Sequence, residues 1–400
     1  MHPQPGSDGL VETVEQAIWA ARPHELVGTA AELIGRHAGA AEAEVLLIDY
    51  RHAFLVPAAR GGDPVRVDDG SAGRAFAAQR TVREKDGHAG GHRVHLPLSV
   101  RGERLGLLTV RFPDGGVEPA WLPAVATALA RALKIAESGT DLYRRIRRRT
   151  RLTLAAEMQW DLLPSTSYEA AEFSIAGQLE PAYAVWGDNF DWAASDGRLT
   201  LTVSNGMGSG TEAAALTHLA VSALRNARRS GGDITEQAAL ADQALYAQHR
   251  GDLNVATLLL DFDMAGGRVR AIDAGSPRIY RMRGNVTEGI EFDAQLPLGM
   301  FGDTLYAVEE FSVEPGDRLF VVSDGVHAAL SPGGETYGVA ALLQALRDTR
   351  LQAPPEAVRT IIRHFITYHE GAEPVDDAVI VCLDWIGTAS SPSSARGDIG

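Results

Sequence analysis

Cysteine is all but absent from this chain: one residue, Cys382, in 400. A single thiol closes no internal disulfide, and its place in the apolar run Ala378–Leu383 reads as a buried strand position, not a reactive one. Long hydrophobic runs are absent too. No stretch of about 18 uncharged apolar residues occurs, so no membrane-spanning helix is expected. The opening residues, Met1-His-Pro-Gln-Pro-Gly-Ser-Asp-Gly9, lack the basic-then-apolar order of a signal peptide. Positive charge is in deficit, with 37 Lys and Arg against 52 Asp and Glu and a net charge of -15, which argues against general nucleic-acid binding. The one basic run, Arg144-Arg-Ile-Arg-Arg-Arg149, reads as a solvated helix face in a linker, in preference to a nucleic-acid or anionic-lipid patch. What remains is the composition of a soluble globular protein, 45% apolar and 22% charged. The expectation is a cytoplasmic protein with no membrane or nucleic-acid partner. Its length predicts two or three domains.

Residues 12–38 have helical periodicity, and Glu44–Tyr50 and His52–Pro57 read as strands. Ser71–Gln79 reads as a short helix capped by Ser71. Val94–Val100 and Leu105–Val110 read as a hairpin turning at Arg101-Gly102, and Ala120–Ala136 as a closing helix. The motifs Asp69-Gly-Ser-Ala-Gly-Arg-Ala-Phe76, His95-Leu-Pro-Leu98 and Arg101-Gly-Glu-Arg-Leu-Gly-Leu-Leu108 resemble those of a GAF domain spanning residues 10–137. The resemblance implies a small-molecule or redox sensor, with its ligand unknown, or a dimerising module without a ligand. His88, His92 and His95 lie near Gly87, Gly90 and Gly91 and read as loop rather than metal site.

Residues 138–164 form a connector, with one helix over Leu142–Leu163 ended by Pro164. Leu142 and Ile146 fit the seam of a parallel coiled coil, interrupted by Arg149, and motivate the expectation of a homodimer through this helix or the GAF-like face. From Phe173 onward, short strands come in hairpins with paired helices between them, an α+β pattern. Residues 386–400, rich in Ser, Gly and Ala, read as a disordered tail.

Four acidic turns stand at the edges of apolar runs in the second region. Trp186-Gly-Asp-Asn-Phe-Asp191 reads as a tight turn carrying Asp188 and Asp191. Asn205-Gly206 ends the strand Leu199–Val203, Asp324-Gly325 ends Leu319–Val322, and Asp376-Asp377 precede the last strand. Any one alone is more often a turn than a ligand. Together they offer the oxygen donors a hard divalent cation needs. Two adjacent cations there would activate a water and neutralise a phosphoryl group.

Several motifs in residues 151–385 resemble the SpoIIE-like phosphatases of the PPM (protein phosphatase 2C) type. They are Glu157-Met-Gln-Trp-Asp-Leu-Leu-Pro164, Gly187-Asp-Asn-Phe-Asp191, Asp273-Ala-Gly-Ser-Pro277, Gln295-Leu-Pro-Leu-Gly-Met300, Glu314–Val326 and Asp376-Asp-Ala-Val379. The resemblance implies an α/β/β/α sandwich over residues 165–385, two Mn²⁺ or Mg²⁺ ions, and hydrolysis of phosphoserine or phosphothreonine. It implies Asp324 and Asp376 as ligands of one ion and the Gly206 carbonyl as a ligand of the other. Asp188 and Asp191 would hold ion-bound waters, with Asp377 as an extra ligand or supporting acid. The substrate it implies is a phosphorylated regulatory protein such as an anti-sigma factor antagonist. Two positions depart from the pattern: Asn205 stands where the ion-bridging aspartate belongs, and Ser276 where a histidine belongs. Asn205 keeps two readings open beside each other, a GAF-regulated phosphatase and a catalytically impaired pseudophosphatase that binds a partner or signal. A third is a small-molecule sensor with the second domain as output scaffold. The retained acids tilt the reading toward an enzyme.

Overall fold

The structure, a computed structural model, describes residues 7–59, 62–86, 90–149, 152–181, 185–275, 277–331, 333–338, 340–369 and 374–388. His88, Ser276 and residues 389–400 of the expected tail lie outside this set. The chain divides into two compact units, Met1–Arg151 and Leu152–Gly400.

The first unit opens with α1 (Ser7–Ala20) and α2 (Leu26–Ala38). The single helical stretch expected over 12–38 breaks at Pro23, which has no N–H to give and disfavours a helical Arg22. There follow β1 (Glu42–Ile48), β2 (Phe54–Pro57), β3 (Val65–Arg66), α3 (Gly70–Ala78), β4 (Val82–Lys85), β5 (His92–Val100), β6 (Glu103–Phe112) and α4 (Leu122–Ala136). The strands form one antiparallel sheet in the order β3-β2-β1-β6-β5-β4, the GAF-like sheet expected from the motifs. Arg101 and Gly102 both take positive φ, the tight turn that matches strand twist. Ser71 does not cap α3. Asp69 occupies the cap position, and the Ser71 hydroxyl instead accepts from Arg74 at 2.7 Å. His95 is buried between Thr109 (Nδ1 to Oγ1, 2.9 Å) and Glu84 (Nε2 to Oε1, 3.3 Å), and His92 stacks on Phe112. These are packing roles.

The connector is not one helix. α5 (Leu142–Arg147) belongs to the first unit, and α6 (Leu154–Leu162) to the second. Leu142 and Ile146 pack on the first unit's own core, where Tyr143 is fully buried and donates its hydroxyl to the Pro23 carbonyl. The stripe that suggested a dimer seam is therefore covered within the chain. The arginine run is not a simple solvated face either. Arg147 donates to the Ile48 carbonyl at 3.0 Å and lies over the Tyr50 ring, while Arg149 lies over the Phe54 ring. Arg148 leaves helical geometry, and a new helix starts where the Thr153 hydroxyl accepts from the Ala156 N–H.

The rest of the second unit comprises β7 (Ser167–Glu169), β8 (Phe173–Glu180), β9 (Asp188–Ser195), β10 (Arg198–Gly206), α7 (Gly210–Arg229), α8 (Ile234–His249), β11 (Val255–Asp263), β12 (Arg268–Ala274), β13 (Arg278–Arg283), β14 (Val286–Ile290), β15 (Glu309–Ser312), β16 (Arg318–Val322), α9 (Asp324–His327), α10 (Ala341–Asp348), α11 (Pro354–Tyr368) and β17 (Ala378–Trp385). One sheet runs β15-β12-β11-β10-β9 and the other β14-β13-β16-β17-β8-β7. Phe190, Leu201, Leu260, Leu319 and Val381 fill the space between them. Leu216, Leu224 and Leu245 of α7 and α8 cover the first sheet, and Leu346, Ile361 and Phe365 of α10 and α11 cover the second. This is the expected α/β/β/α sandwich. It places the acidic strand ends where the two sheets meet.

Because Ile146 fills part of the first unit's core, Ile146→Ala is expected to destabilise that unit by ~1–2 kcal/mol, below the full cost of truncating a buried side chain. Urea denaturation followed beside light scattering checks this. A change of mass without loss of stability would restore the dimer seam.

Candidate functional site

Asp188 is the first residue of β9 and stands opposite Asn205 of β10 in register. Asp324 opens α9 directly after β16, and Asp376 and Asp377 directly precede β17. The first pair belongs to one sheet and the others to the second. Gly325 is required for their approach, since a Cβ there would run into the Asp377 carbonyl oxygen.

Asp188 is completely buried, with the Ser323 hydroxyl beside its carboxylate working against the shift that burial imposes. Burial raises its proton affinity well above the ordinary carboxylate range, and Asp377, Asp324 and Asp376 raise it further. Asp376 is pushed up to about 6, chiefly by burial and then by Asp324, against an opposing hydrogen bond from the Asp377 N–H. Among the described residues no Lys, Arg or His pairs with Asp188, Asp324 or Asp376. The Asn205 Nδ2 donates to Asp324 Oδ1, which also accepts from the Gly325 N–H at 3.0 Å.

Asp377 is held differently. Its Oδ2 accepts from Gln159 Nε2 at 2.6 Å, from the Trp186 N–H at 2.7 Å and from the Gly187 N–H at 3.0 Å. Those bonds fix the turn before Asp188. Thr217 of α7 donates to the Gly187 carbonyl at 2.6 Å and lies where a Cβ on Gly206 would project. Gly206 thus remains backbone only, beside the acids.

Asp191 is not brought to this cluster. The expected tight turn is in fact the start of a strand, and three residues along a strand reverse the face. Asp188 shares the inward face with Phe190, while Asp191 meets α7, where Arg225 (2.8 Å) and Arg228 (3.0 Å) grip its two oxygens. Composition hid this strand, since Asp and Asn are poor strand formers. Sequence reasoning also missed Gln159, although it lies within the quoted segment before Pro164. The arginines were legible only as positions i and i+3 on one face of α7.

The donors fit a hard cation in kind: three carboxylates without a counter-charge, an amide and a backbone carbonyl. They do not form a closed ligand set. Among the described residues no three His, Cys, Asp or Glu side chains converge as metal ligands.

Comparison with known proteins agrees with this geometry. Residues 195–386 match the family described as stage II sporulation protein E (SpoIIE). This segment is a SpoIIE-type PPM phosphatase domain. The match begins at Ser195, beyond Asp188 and Asp191, so the placement of those two rests on the structure. The protein IcfG of Synechocystis sp. (strain PCC 6803) is 24% identical over 266 residues, which cover 59% of this chain and 41% of that protein. The chain therefore spans about two-fifths of that relative's length. The SiaA PP2C domain of Pseudomonas aeruginosa superposes with a TM-score of 0.50 at 21% identity, covering 58% of this chain and 94% of that one. The PP2C phosphatase domain of SpoIIE from Bacillus subtilis, with a fragment of its regulatory domain, gives 0.47 at 17% identity, covering 55% and 65%. At these identities the structural likeness is one of fold.

Two measurements follow. Asp376 binds its proton more tightly folded than unfolded, so the stability it contributes is complete below about pH 3.8 and is lost as pH rises through about 6; burial shifts Asp188 in the same direction. In EDTA, the second unit's melting temperature is expected to fall between pH 5 and pH 7 from this source, and Asp376→Asn should flatten the fall. Asp191→Ala leaves two partly buried arginines without their shared carboxylate and is expected to cost on the order of 3 kcal/mol. Calorimetric titration should show its Mn²⁺ affinity unchanged.

Proposed function

We propose that the chain is a cation-dependent serine/threonine phosphoprotein phosphatase, regulated through its GAF-like unit, with turnover held low by Asn205. The observation that carries this is the group of Asp188, Asp324 and Asp376, the first fully buried and the other two half-buried, with which no Lys, Arg or His pairs among the described residues. Asp324 and Asp376 would hold one Mn²⁺ or Mg²⁺, with the Gly206 carbonyl and the Asn205 oxygen as the poorer donors for a second. A bound cation supplies Lewis-acid polarisation of the phosphoryl group and a more acidic water. Asp188, which pairs with no Lys, Arg or His among the described residues, would orient water at such a cation. Asp377 is already engaged by Gln159, Trp186 and Gly187 and supports the turn. The family resemblance supports a phosphorylated regulatory protein, such as an anti-sigma factor antagonist, as substrate.

A second reading has its own observation. The Asn205 amide donates to Asp324 and must give up that bond to turn its oxygen toward a cation. Such a site favours a partner-binding pseudophosphatase.

Metal titration beside a Mn²⁺-dependent rate assay on an aryl phosphate separates the two. Wild type is expected to bind one ion tightly and turn over slowly, and Asp324→Ala to lose both properties. Asn205→Asp is expected to tighten binding and raise the rate on the order of tenfold for each ~1.4 kcal/mol of recovered transition-state stabilisation. An Asn205→Asp protein that binds metal but stays inert would support the pseudophosphatase.

A further inference from the structure

One buried side chain near the acids has no part in the chemistry above. Gln159 lies on α6, is 2% exposed, and uses both hydrogens of its amide nitrogen. One bond runs to the Asp188 carbonyl at 3.0 Å and the other to Asp377 Oδ2 at 2.6 Å. Asp188 begins a strand of one sheet, and Asp377 leads into a strand of the other. A single amide therefore ties the two sheets together at the end where the acids gather. Its oxygen is buried without a partner, an arrangement that buried polar groups rarely adopt without a reason.

The helix that carries it is packed on more than one side: Ala155 and Ala156 meet Val185 and Ala214, Leu162 is buried, and Trp160 packs on the core between the sheets. Leu154 is exposed, and the helix end is held by Arg225, which donates to the Leu162 carbonyl at 2.6 Å. Arg225 also grips Asp191 of β9.

We infer that Gln159 is a positioning residue of the acid site, and that α6 is a wall of that site and not merely the segment leading into the domain. Gln159 acts through Asp377 and the Asp188 backbone. It keeps the Trp186–Asp188 turn seated, and that turn sets where the Asp188 carboxylate stands. Gln159→Met keeps length and volume but removes both donors. Gln159→Glu keeps the shape and places a carboxylate against Asp377, so it should be the more damaging. The cation-binding half of this inference rests on the proposed function; the positional half does not.

The test uses the full-length chain and two readouts. Without metal, hydrogen exchange at the Trp186–Asp188 amides is expected to quicken about tenfold in Gln159→Met, through local opening, with β10 and β11 unchanged. With metal, Mn²⁺ affinity should fall about 10- to 100-fold, as it does when a group that orients a ligand is lost. A generally structural role would instead quicken exchange throughout β10 and β11, and that result would overturn the inference. So would unchanged exchange at 186–188, or unchanged Mn²⁺ affinity in both variants. If wild type takes up no Mn²⁺, the proposed function fails, and the exchange readout still decides the role of Gln159.

Discussion

Like charges are gathered where two sheets meet, two of them fully buried and two half-buried. Asp188, Asp324, Asp376 and Asp377 come from the ends of strands in two sheets, and they raise the proton affinity of Asp188 and Asp376. Two ionised carboxylates at contact distance repel by about 4 kcal/mol at the effective dielectric of a protein site. The apolar layer between the sheets holds them together against that repulsion. Phe190, two residues beyond Asp188, and Val379, two beyond Asp377, sit in that layer. The positions of the acids are thus a by-product of strand pairing, and the strain they carry is relieved by protons or by cations.

Asn205 bears on this balance directly. An aspartate at that position would add charge beside Asp188, Asp324 and Asp376, with which no Lys, Arg or His pairs among the described residues. The amide removes that charge and donates to Asp324. Under the proposed function, the chain without cation would gain by this and the capacity to hold two cations side by side would be reduced. On that reading, stability and catalytic power would pull in opposite directions at one residue, as they often do at active sites.

The break between α5 and α6 follows from where each finds apolar partners. Tyr143, Leu142 and Ile146 belong to the first unit's core, while Ala155 and Ala156 belong to a small cluster of the second. Arg147 at the end of α5 lies over the Tyr50 ring and donates to the Ile48 carbonyl, and Arg149 just beyond it lies over the Phe54 ring. A linear scan of charge sees only a run of arginines.

Much of the fold was legible in the residues themselves. Hydrophobic period and turn dipeptides marked strands such as Arg318–Val322 and the Arg101-Gly102 hairpin, because these depend on neighbours in sequence. The motifs that contain Asp188, Asp324 and Asp376 marked the acids, because residue type is read directly from the sequence. Which face each residue takes was not legible. Asp188 and Asp191 look equivalent in Gly-Asp-Asn-Phe-Asp, and only strand geometry sends one to the acid site and the other to Arg225 and Arg228. Gln159 lies more than 200 residues from Asp377, and no local rule pairs them. Local propensity is a property of the sequence alone; side-chain facing and distant hydrogen bonds exist only once the two sheets have closed on each other.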